Sequence, residues 1–412
     1  MSLSPIHVLR RKTWIFALLS LTLGILVCDS APLLVQETDQ SLFEKRIAGS
    51  NAWLEVDTQA FDENIKRVKE FLDGRAELCA IMKADAYGNG IVGLLPTVID
   101  NGVKFIGITS NEEARMLREN GFEGRIVRAR SASRNEIEEG IEYKIEEIIG
   151  SLEQAIQIKE LSKSHGVKIP IHLVLNSTGM GRNGLEIGTE TGKKEGLKIV
   201  RNKYLNIVGM MTHFPRAKIE LIQAASEKFA EQTAWLIENS PLERENLTLH
   251  AASSFAAQNV PESLFDMVRI GGLLYGRTAP YERLITFKTR IASLHTFPEG
   301  STIGYGGSAI LTRDSVLANL PIGYTDGIAR SLSNRGYVLI NGKRARIVGV
   351  TTMNTTMVDV TDLPEVHMND EVVLYGAQGD DFIDDRENRM HSERTLGEQA
   401  TMWGASNPRV YF

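Results

Sequence analysis

Lys83 ends the apolar run LCAIM within the segment AIMKADAYGNG. A buried ammonium group is costly unless it is paired or loses its proton, so this lysine either reaches solvent or takes part in chemistry. A lysine whose pKa is lowered by its surroundings can form a Schiff base with an aldehyde. Tyr87 follows four residues later and places a hydroxyl group near the same point of the chain.

Other apolar runs also end in polar residues or in glycine. Taken singly, each such residue has an ordinary interpretation: Lys83 as a surface residue, His213 as a hydrogen-bonded core histidine, Ser254 as a turn or helix cap. Together they indicate a lysine, a histidine ring, an arginine and backbone N–H groups that form a phosphate cradle with serine and tyrosine hydroxyls. The residues are Lys83, Tyr87, Arg128, Asn176, Thr212, His213, Ser253, Ser254, Arg269, Gly271 and Gly272.

Eight apolar runs alternate with helix-like segments, which predicts an α/β fold with a parallel sheet closed as a TIM-type (β/α)8 barrel. An open doubly wound sheet is the alternative, but the early glycine-rich turn of a dinucleotide-binding fold is missing. The runs are LCAIMK, KFIGIT, GRIVRA, IEEIIG, IPIHLVLN, LNIVGMMTH, LTLHAA and FDMVRIGG. Chemistry in a barrel collects at the carboxyl ends of its strands. A lysine and a phosphate cradle at that end suggest pyridoxal phosphate.

From about residue 285 the sequence changes to short alternating strands separated by glycine and asparagine turns, as in YVLINGKRARIVGV. This pattern predicts a second, mainly β domain. We therefore expect an N-terminal extension over residues 31–50, the barrel over 51–284 and the β domain over 285–412.

The composition favours a small-molecule ligand over a polymer. The chain has 412 residues and a formal net charge of −6, which gives room for two domains. The charge provides no basic surface for nucleic acid. Two cysteines, Cys28 and Cys79, exclude a cysteine-rich zinc site, and no metal site is expected.

Residues 1–30 form a separate unit. Three basic residues precede WIFALLSLTLGILV, a run too short to span a bilayer comfortably. This pattern predicts a secretory signal peptide that is cut near Ser30 or Ala31, leaving a soluble periplasmic protein without a membrane segment. Lipidation of Cys28 and a retained N-terminal anchor are the alternatives. After cleavage Cys79 is the remaining cysteine and is expected to be a buried, inert thiol.

Several motifs are shared with one family. KADAYGNG, TGMGR, MMTHF, HAASSF, VRIGGLLYG, GYGG and LPIGYTDG lie between residue 50 and the C-terminus. With them, the chain resembles the fold-type III pyridoxal-phosphate amino-acid racemases, the family of alanine racemase. The resemblance implies that Lys83 carries the cofactor, Arg182 bonds its phenolic oxygen, His213 stacks on its ring and Arg269 faces its pyridine nitrogen. It also implies phosphate binding by Tyr87, Ser254, Gly271 and Gly272.

The resemblance further implies a reaction and an assembly. It implies that Lys83 and Tyr305 are the two bases on opposite faces of the substrate, and that His213 and Arg269 assist the Tyr305 phenol. Arg269 keeps the pyridine nitrogen unprotonated, which discourages side reactions such as transamination. The resemblance also implies that Tyr305 comes from the second subunit of a homodimer with shared active sites. The substrate-binding residues implied by the resemblance are Arg182, Asn183, Tyr324 and Met353.

Three departures from alanine racemase indicate a branch of the family. Asn183 follows Arg182, as in the exported broad-specificity amino-acid racemases. Leu175, beside Asn176, stands where many alanine racemases have a carbamylated lysine, so another group must hold Arg182. Gly397 replaces an entrance tyrosine that bonds the phosphate, and its small size predicts a wider entrance that admits lysine, arginine, methionine or serine.

These observations predict a broad-specificity racemase of free amino acids, including lysine and arginine. A narrow-specificity alanine racemase is the alternative with the same chemistry. Barrel decarboxylases of basic amino acids share a cofactor and a β domain, but the TGMGR, MMTHF and GYGG segments argue against them. A non-catalytic pyridoxal-phosphate homeostasis protein uses a single barrel, and the second domain argues against that role.

Overall fold

The computed structural model describes residue 45 and residues 47–412. The predicted signal peptide, Cys28 and most of the predicted 31–50 extension lie outside the described residues. Within the described part of the chain, no helix is both long and apolar enough to cross a membrane, and no cluster of side chains suited to a metal ion is found there.

Eight parallel strands close into a barrel, as predicted from the eight apolar runs. Each strand pairs with its sequence neighbour, and the last pairs with the first. The strands are β2 (Glu77–Ile81), β3 (Phe105–Ile108), β4 (Arg125–Arg128), β5 (Ile145–Ile149), β6 (Pro170–Val174), β7 (Asn206–Met211), β8 (Thr248–Ser253) and β9 (Met267–Ile270).

Helices cover the outside of the barrel and follow the strands in sequence. The first begins where the side chain of Asp57 accepts a hydrogen bond from the backbone N–H of Ala60 at 2.8 Å, which caps its amino end. The helices are α1 (Thr58–Leu72), α2 (Ile91–Asp100), α3 (Asn111–Glu119), α4 (Arg134–Glu139), α5 (Leu152–His165), α6 (Glu190–Val200), α7 (Ile219–Glu238) and α8 (Ser254–Asn259).

Alternate residues of the barrel strands pack on two different sides. On β2, Leu78 and Ala80 belong to the large core between strands and helices, whereas Cys79 and Ile81 belong to a separate core with residues of the other strands, inside the barrel. Cys79 is fully buried, and burial raises the pKa of its thiol to about 12. The thiol is therefore protonated and inert, as the sequence indicated.

The second unit is built on a mainly antiparallel sheet. In the described residues ten strands join it. They are β1 (Ala52–Val56), β10 (Ile285–Arg290), β11 (Ser293–Phe297), β14 (Ser315–Leu320), β15 (Tyr337–Ile340), β16 (Lys343–Ile347), β17 (Thr356–Asp359), β18 (Glu371–Gln378), β19 (Asp381–Ile383) and β20 (Arg409–Tyr411). Their order is β11-β14-β17-β16-β15-β18-β10-β1-β20, with β19 paired to β18. A short hairpin of β12 (Thr302–Ile303) and β13 (Ala309–Ile310) lies apart.

Strand β1 does not belong to the barrel, although it lies within the predicted barrel segment 51–284. It pairs antiparallel with β10 and parallel with β20, and Ala52 and Leu54 are buried in the core of the second unit. The chain enters the sheet first and the barrel second. The boundary at residue 284 stays a prediction, with this one strand on the other side of it.

The two units meet at the turn that follows Lys83. Two further helices belong to the second unit, α9 (Asp385–Ser392) and α10 (Leu396–Ser406). A Cβ atom on Gly404 of α10 would overlap the carbonyl oxygen of Gly88, so the two backbones are in direct contact. Arg409 forms an ion pair with Asp85 at 2.6 Å and donates to the Gly88 carbonyl at 2.8 Å. The second unit thus holds the segment that carries Lys83.

Candidate active site

Lys83 lies directly beyond β2, at the start of a left-handed turn. The φ angles of Ala84, Asp85, Ala86 and Tyr87 are 54°, 51°, 53° and 57°. Left-handed backbone costs an L-residue roughly 1–2 kcal/mol, and four consecutive non-glycine residues in this region require support from their surroundings. Such strain is typical of functional sites.

Glu113 provides part of that support. It is buried, with 7% of its surface exposed, and its Oε1 atom accepts a hydrogen bond from the N–H of Ala84 at 2.6 Å. Its Oε2 atom accepts from the N–H groups of Thr109 and Ser110 at 2.6 and 3.1 Å, as part of the capping box of α3. One carboxylate therefore joins the Lys83 turn to a neighbouring helix.

A cavity of about 290 Å³ opens at the carboxyl ends of the barrel strands. Ten residues predicted from the sequence line it together, from six different strand ends or loops. They are Lys83, Tyr87, Arg128, Arg182, His213, Ser253, Ser254, Arg269, Gly271 and Gly272. Ile81, Val127 and Met211 supply apolar wall.

Tyr87, Ser254 and two glycines form the cradle of this cavity. A Cβ atom on Gly271 would lie 2.6 Å from the Tyr87 hydroxyl, and one on Gly272 would lie 3.5 Å from the Ser254 hydroxyl. Side chains at positions 271 and 272 would therefore fill the space between these hydroxyls. Neither hydroxyl forms a hydrogen bond with any residue that the structure describes. The arrangement offers free donors around a space of small-anion size.

The Lys83 amine is half-buried and has no hydrogen-bond or ion-pair partner among the described residues. Its pKa is lowered, first by burial and then by the positive charge of Arg182 and, more weakly, Arg277 and Arg269; Glu113 acts in the opposite direction. A lysine with a lowered pKa provides more of the neutral amine, which is the nucleophilic form.

Arg269 is the buried cation of the site. Its Nη1 atom donates to Nδ1 of His250 at 2.8 Å, and its Nη2 atom donates to Nδ1 of His213 at 3.2 Å and to the carbonyls of Thr212 and Ala251 at 2.9 Å. Burial lowers the pKa of Arg269 to about 10, so it remains charged at neutral pH. Its Nε–H and one Nη1–H have no acceptor within the described chain.

A chain of hydrogen bonds continues from Arg269 through the barrel interior. His250 Nε2 lies 2.9 Å from His172 Nδ1, and His172 Nε2 lies 2.7 Å from Glu146 Oε2. A guanidinium only donates, so Nδ1 of His250 accepts, and its Nε2–H must donate to His172. The Nε2–H of His172 then donates to Glu146. One donor thus fixes the tautomers of both histidines.

The charges along this chain agree with those tautomers. The pKa of His250 lies well below its usual value because of burial and the Arg269 charge, so His250 is neutral. Burial alone would raise the pKa of Glu146, but hydrogen bonds from His172 and Arg125 outweigh it and the pKa is lowered. Arg125 completes the chain with an Nη2 contact to Glu146 at 2.8 Å.

Motif reasoning missed His172, His250 and Glu146, although a signal was present in the sequence. Each stands inside an apolar strand, in IPIHLVLN, LTLHAA and IEEIIG. A buried titratable residue in such a run requires a partner, and three of them on strands of one barrel can meet in its interior. Their hydrogen bonds form a chain that ends at Arg269 and helps to hold its guanidinium in place.

Arg128, which also ends a strand, has a structural role in the barrel. It is fully buried, and its guanidinium pairs with Glu147 at 2.8 and 3.0 Å and donates to Asn111 Oδ1 at 2.6 Å. Even with this pair, burial raises the pKa of Glu147. The guanidinium of Arg128 is therefore occupied by α3 and β5 and is not free for a ligand.

The loop that carries Arg182 is held by Asn176. The Asn176 side chain accepts from the N–H of Gly181 at 3.1 Å and contacts Glu186, while Leu175 is buried and bridges to Leu185. Arg182 is exposed, and the structure gives its guanidinium no hydrogen bond to the described residues. Asn176 therefore acts on the backbone of this loop, and among the described residues no group holds the Arg182 guanidinium in the place of a carbamylated lysine.

The four other residues that the resemblance implies for catalysis or substrate binding lie outside the cavity of this chain. Asn183 donates to Ser131 Oγ at 3.1 Å. Tyr305, Tyr324 and Met353 belong to the second unit and are 77%, 40% and 54% exposed. Tyr324 and Met353 lie on adjoining loops, since Tyr324 N donates to Thr352 O at 3.0 Å and Thr325 N to Met353 O at 3.1 Å.

The small residue Gly397 was expected to widen the entrance to the site, but the space beside it is not empty. A Cβ atom on Gly397 would lie 2.6 Å from Nη2 and 2.9 Å from Nη1 of Arg277. The room left by the missing side chain is therefore occupied by a guanidinium, because Arg277 reaches across it.

The cavity fits pyridoxal phosphate on its own features. It combines an unpaired lysine amine, a cradle that side chains at positions 271 and 272 would fill, and a buried arginine with two unused donors. These groups match an aldehyde, a phosphate and a ring nitrogen in chemical type.

Comparisons with known proteins agree with this geometry. The family model "Alanine racemase, N-terminal domain" matches residues 56–279, and "Alanine racemase, C-terminal domain" matches residues 284–411. A broad specificity amino-acid racemase of Vibrio parahaemolyticus is 48% identical over 93% of this chain and 94% of its own length. A lysine racemase of Proteus mirabilis is 42% identical over 88% and 89%.

A solved structure of alanine racemase from Clostridium difficile 630 superposes with a TM-score of 0.79 at 26% identity, covering 88% of this chain and 95% of that one. The two family models together span nearly all of the described residues. The chain therefore belongs to the alanine racemase family, whose members are pyridoxal-phosphate-dependent isomerases.

Proposed function

We propose that this protein racemises free amino acids over a broad range that includes lysine and arginine, with pyridoxal phosphate held by Lys83. The observation that carries this proposal is the unpaired Lys83 amine, with its lowered pKa, beside the cradle in a barrel-end cavity. The cofactor, when bound, supplies an electron sink that acidifies the α-hydrogen of the amino acid.

Lys83 is proposed to move the α-proton on one face of the substrate. Its neutral amine is favoured by burial and by neighbouring cations, so the group can accept a proton near neutral pH. The left-handed turn and Glu113 fix the lysine backbone, which limits the positions that the amine can reach. A fixed base reduces the entropy lost in the reaction.

Arg269 and His213 are proposed to assist proton transfer on the opposite face of the substrate. Burial and the charge of Arg269 lower the pKa of His213 to about 3, so its ring is neutral. Because Arg269 donates to Nδ1 of His213, the proton of that ring is on Nε2. An Nε2–H donor at the cavity can polarise a phenol and favour its charged form.

We propose that the phenol is Tyr305 of a second copy. In the single chain Tyr305 is 77% exposed and does not line the cavity that contains Lys83. Tyr324 and Met353 are exposed on neighbouring loops, which suits contact with another protomer. In the proposed homodimer, the substrate carboxylate is bound by the Met353 backbone N–H of one subunit and by Arg182 of the other, with Tyr324 and Asn183 beside it.

The broad range is supported by two relatives that carry the names broad specificity amino-acid racemase and lysine racemase at 48% and 42% identity. The alanine racemase of known structure is more distant, at 26%. The Asn176-held loop, with Leu175 in the place of a carbamylated lysine, is consistent with this branch. A narrow-specificity alanine racemase remains the alternative that an assay must separate.

The proposed location is the periplasm, after removal of residues 1–30 as a signal peptide. Its support is the basic start and apolar run of the sequence. An exported racemase meets a mixture of amino acids, which suits a broad range. Mass spectrometry of the secreted protein tests the location, since a mature N-terminus near Ala31 supports cleavage and an intact Met1 contradicts it.

The experiment that tests the activity is a panel of single L-amino acids incubated with the purified holoenzyme and followed by loss of optical rotation. Loss with lysine and arginine as well as alanine supports the broad range, and loss with alanine alone supports the narrow enzyme. Lys83→Ala should lack both activity and the visible absorbance of lysine-bound cofactor. Activity of that variant at the wild-type level would contradict the role of Lys83.

The shared site is tested by subunit mixing. Tyr305→Phe should retain the bound cofactor but fail to racemise in at least one direction. Mixed dimers of the Lys83→Ala and Tyr305→Phe chains contain one intact site and should regain part of the activity. No recovery, with subunit exchange demonstrated by mass-tagged chains, would contradict a site built from two subunits.

A further inference from the structure

Arg277 lies beside the cradle, although it belongs to none of the motifs that mark the site. Its backbone N–H donates to the carbonyl of Gly272 at 3.0 Å. Its guanidinium carbon lies 4.7 Å from the centroid of the Tyr87 ring, within the range of a cation–π contact. Its Cδ atom lies 3.9 Å from the position of a Cβ atom on Gly272, so the side chain borders two members of the cradle, Tyr87 and Gly272.

Gly397, which has no side chain, leaves room for the Arg277 guanidinium. The terminal nitrogens of Arg277 lie 2.6 and 2.9 Å from the position of a Cβ atom on Gly397. Any larger residue at position 397 would displace the flexible end of Arg277. The backbone of Gly397 is not in the left-handed region, so its backbone conformation does not require glycine. The absence of a side chain here is best explained by the room that Arg277 occupies.

The charge of Arg277 is uncompensated. Within residues 47–412 no carboxylate lies within ion-pair distance of it, whereas Arg409 at the same junction pairs with Asp85 at 2.6 Å. Its field reaches the cavity: burial raises the pKa of Tyr87 and the Arg277 charge opposes that rise. Arg277 also contributes to the lowered pKa of Lys83.

The cradle itself consists of neutral groups. The hydroxyls of Tyr87 and Ser254 and the backbone N–H groups near Gly271 and Gly272 can donate hydrogen bonds to a ligand but carry no net charge. A phosphate dianion in a partly buried site needs positive charge as well as donors. Arg269 is already engaged with two histidines and two carbonyls behind the cavity. Of the other cations that line the cavity, Lys83 is assigned to the aldehyde, Arg182 to the phenolic oxygen and Arg269 to the ring nitrogen. Among the residues described, Arg277 is an unpaired cation beside Tyr87 and Gly272 of the cradle.

We propose that Arg277 supplies positive charge to the phosphate of the cofactor from the Tyr87 side of the cradle, in a place that Gly397 keeps open. The inference rests on the proposed function, because the phosphate is that of pyridoxal phosphate. It makes Arg277 a cofactor-binding residue, with no part in moving the α-proton.

The test compares two cofactor forms that differ only in the phosphate. Apoprotein is titrated with pyridoxal phosphate and with pyridoxal, and dissociation constants are measured by quenching of tryptophan fluorescence. Arg277→Gln should bind pyridoxal phosphate about tenfold more weakly, or ~1.4 kcal/mol, and pyridoxal as the wild type does. Arg277→Lys should restore part of the loss, since it keeps the charge.

Arg283→Gln is the matched control for net charge. Arg283 is also exposed and also lies over an aromatic ring, 4.3 Å from the centroid of Phe382, but that ring is not part of the cradle, whereas Arg277 lies over Tyr87. Its removal should leave both dissociation constants at the wild-type values. Equal weakening of pyridoxal phosphate by Arg283→Gln and Arg277→Gln would overturn the proposal, because the effect would then be one of net charge.

Gly397→Ala is the second, independent variant. It leaves Arg277 in the sequence but takes its space, and alanine in α10 favours the helix. It should weaken pyridoxal phosphate alone, with no fall in the thermal unfolding midpoint. If Arg277→Gln weakens both cofactor forms equally, Arg277 only positions Tyr87; if it weakens neither, its charge is unused. Failure of the wild type to bind either form would refute the proposed function itself.

Discussion

The substitution Glu113→Gln tests how much the contact between the Glu113 carboxylate and the Lys83 turn contributes to the stability of the protein. The Glu113 carboxylate accepts from the N–H groups of Ala84 and Asp85 with one oxygen, at 2.6 and 3.4 Å, and from Thr109 and Ser110 with the other. Glutamine has one acceptor oxygen. Its NH₂ group must therefore face backbone donors on one of the two sides.

The side of Thr109 and Ser110 has more contacts, including the Thr109 hydroxyl at 3.2 Å, so we expect the glutamine oxygen to remain there. The Ala84 N–H then loses a charged acceptor. A buried donor without its partner costs about 1–3 kcal/mol, and the weaker Asp85 contact adds to this. We expect Glu113→Gln to lower the free energy of unfolding by about 2–4 kcal/mol.

The assay is urea unfolding of the apoprotein at one fixed concentration, followed by tryptophan fluorescence. Glu112→Gln is the control, because Glu112 is the adjacent residue but its side chain is 55% exposed and pairs with Arg115 on the surface. Such pairs contribute about 1 kcal/mol or less. Unfolding free energies of the two variants within about 0.5 kcal/mol of each other would refute the reasoning.

Three further predictions use the same unfolding assay. Burial lowers the pKa of His213 to about 3, against 6.5 in the unfolded chain, so the unfolded state binds a proton first and the free energy of unfolding falls as the pH drops from 6.5 toward 3. Between pH 7 and pH 5, the His213→Phe apoprotein should therefore lose about 2 kcal/mol less of its free energy of unfolding than the wild type. Equal losses in the two proteins would contradict this. Arg128→Met leaves Glu147 buried without its partner and should cost about 3–5 kcal/mol, part of which Glu147→Gln should restore; purely additive effects would contradict a coupled pair. Gly404→Ala places a methyl group against the backbone of Gly88 and should lower the free energy of unfolding by about 3 kcal/mol or more. Gly102→Ala is the control: Gly102 has a φ of 64° but open space around it, and its substitution should lower the free energy of unfolding by about 1 kcal/mol. Similar losses for the two variants would mean that the contact with Gly88 is unimportant.

The barrel could be predicted because its signal is repeated. Each of the eight runs has the length and composition of a buried parallel strand, and the polar residues that end them meet because such strands share one carboxyl edge. Lys83, His213, Ser254 and Arg269 line one cavity for this reason. Their individual roles in the reaction stay predictions.

Pairing partners and side-chain directions could not be predicted from the same runs. The strand WLEV has no local mark that distinguishes a barrel strand from a sheet strand, and its pairing with β10 depends on residues more than 200 positions away. Arg128 and Arg269 both lie near the carboxyl ends of barrel strands, yet one faces Glu147 and the other the interior. Strand parity and long-range contacts decide between them, and neither is visible locally.

The position of β1 between β10 and β20 limits how this protein can be recombined with its relatives. A cut near residue 284 divides the chain where the family models divide it, but it leaves the transplanted sheet without the strand that joins β10 to β20. A chimera that exchanges residues 285–412 alone must therefore pair a foreign β1 with both neighbours. Grafts that carry residues 51–57 along with the β domain keep these ladders intact and should give more soluble hybrids.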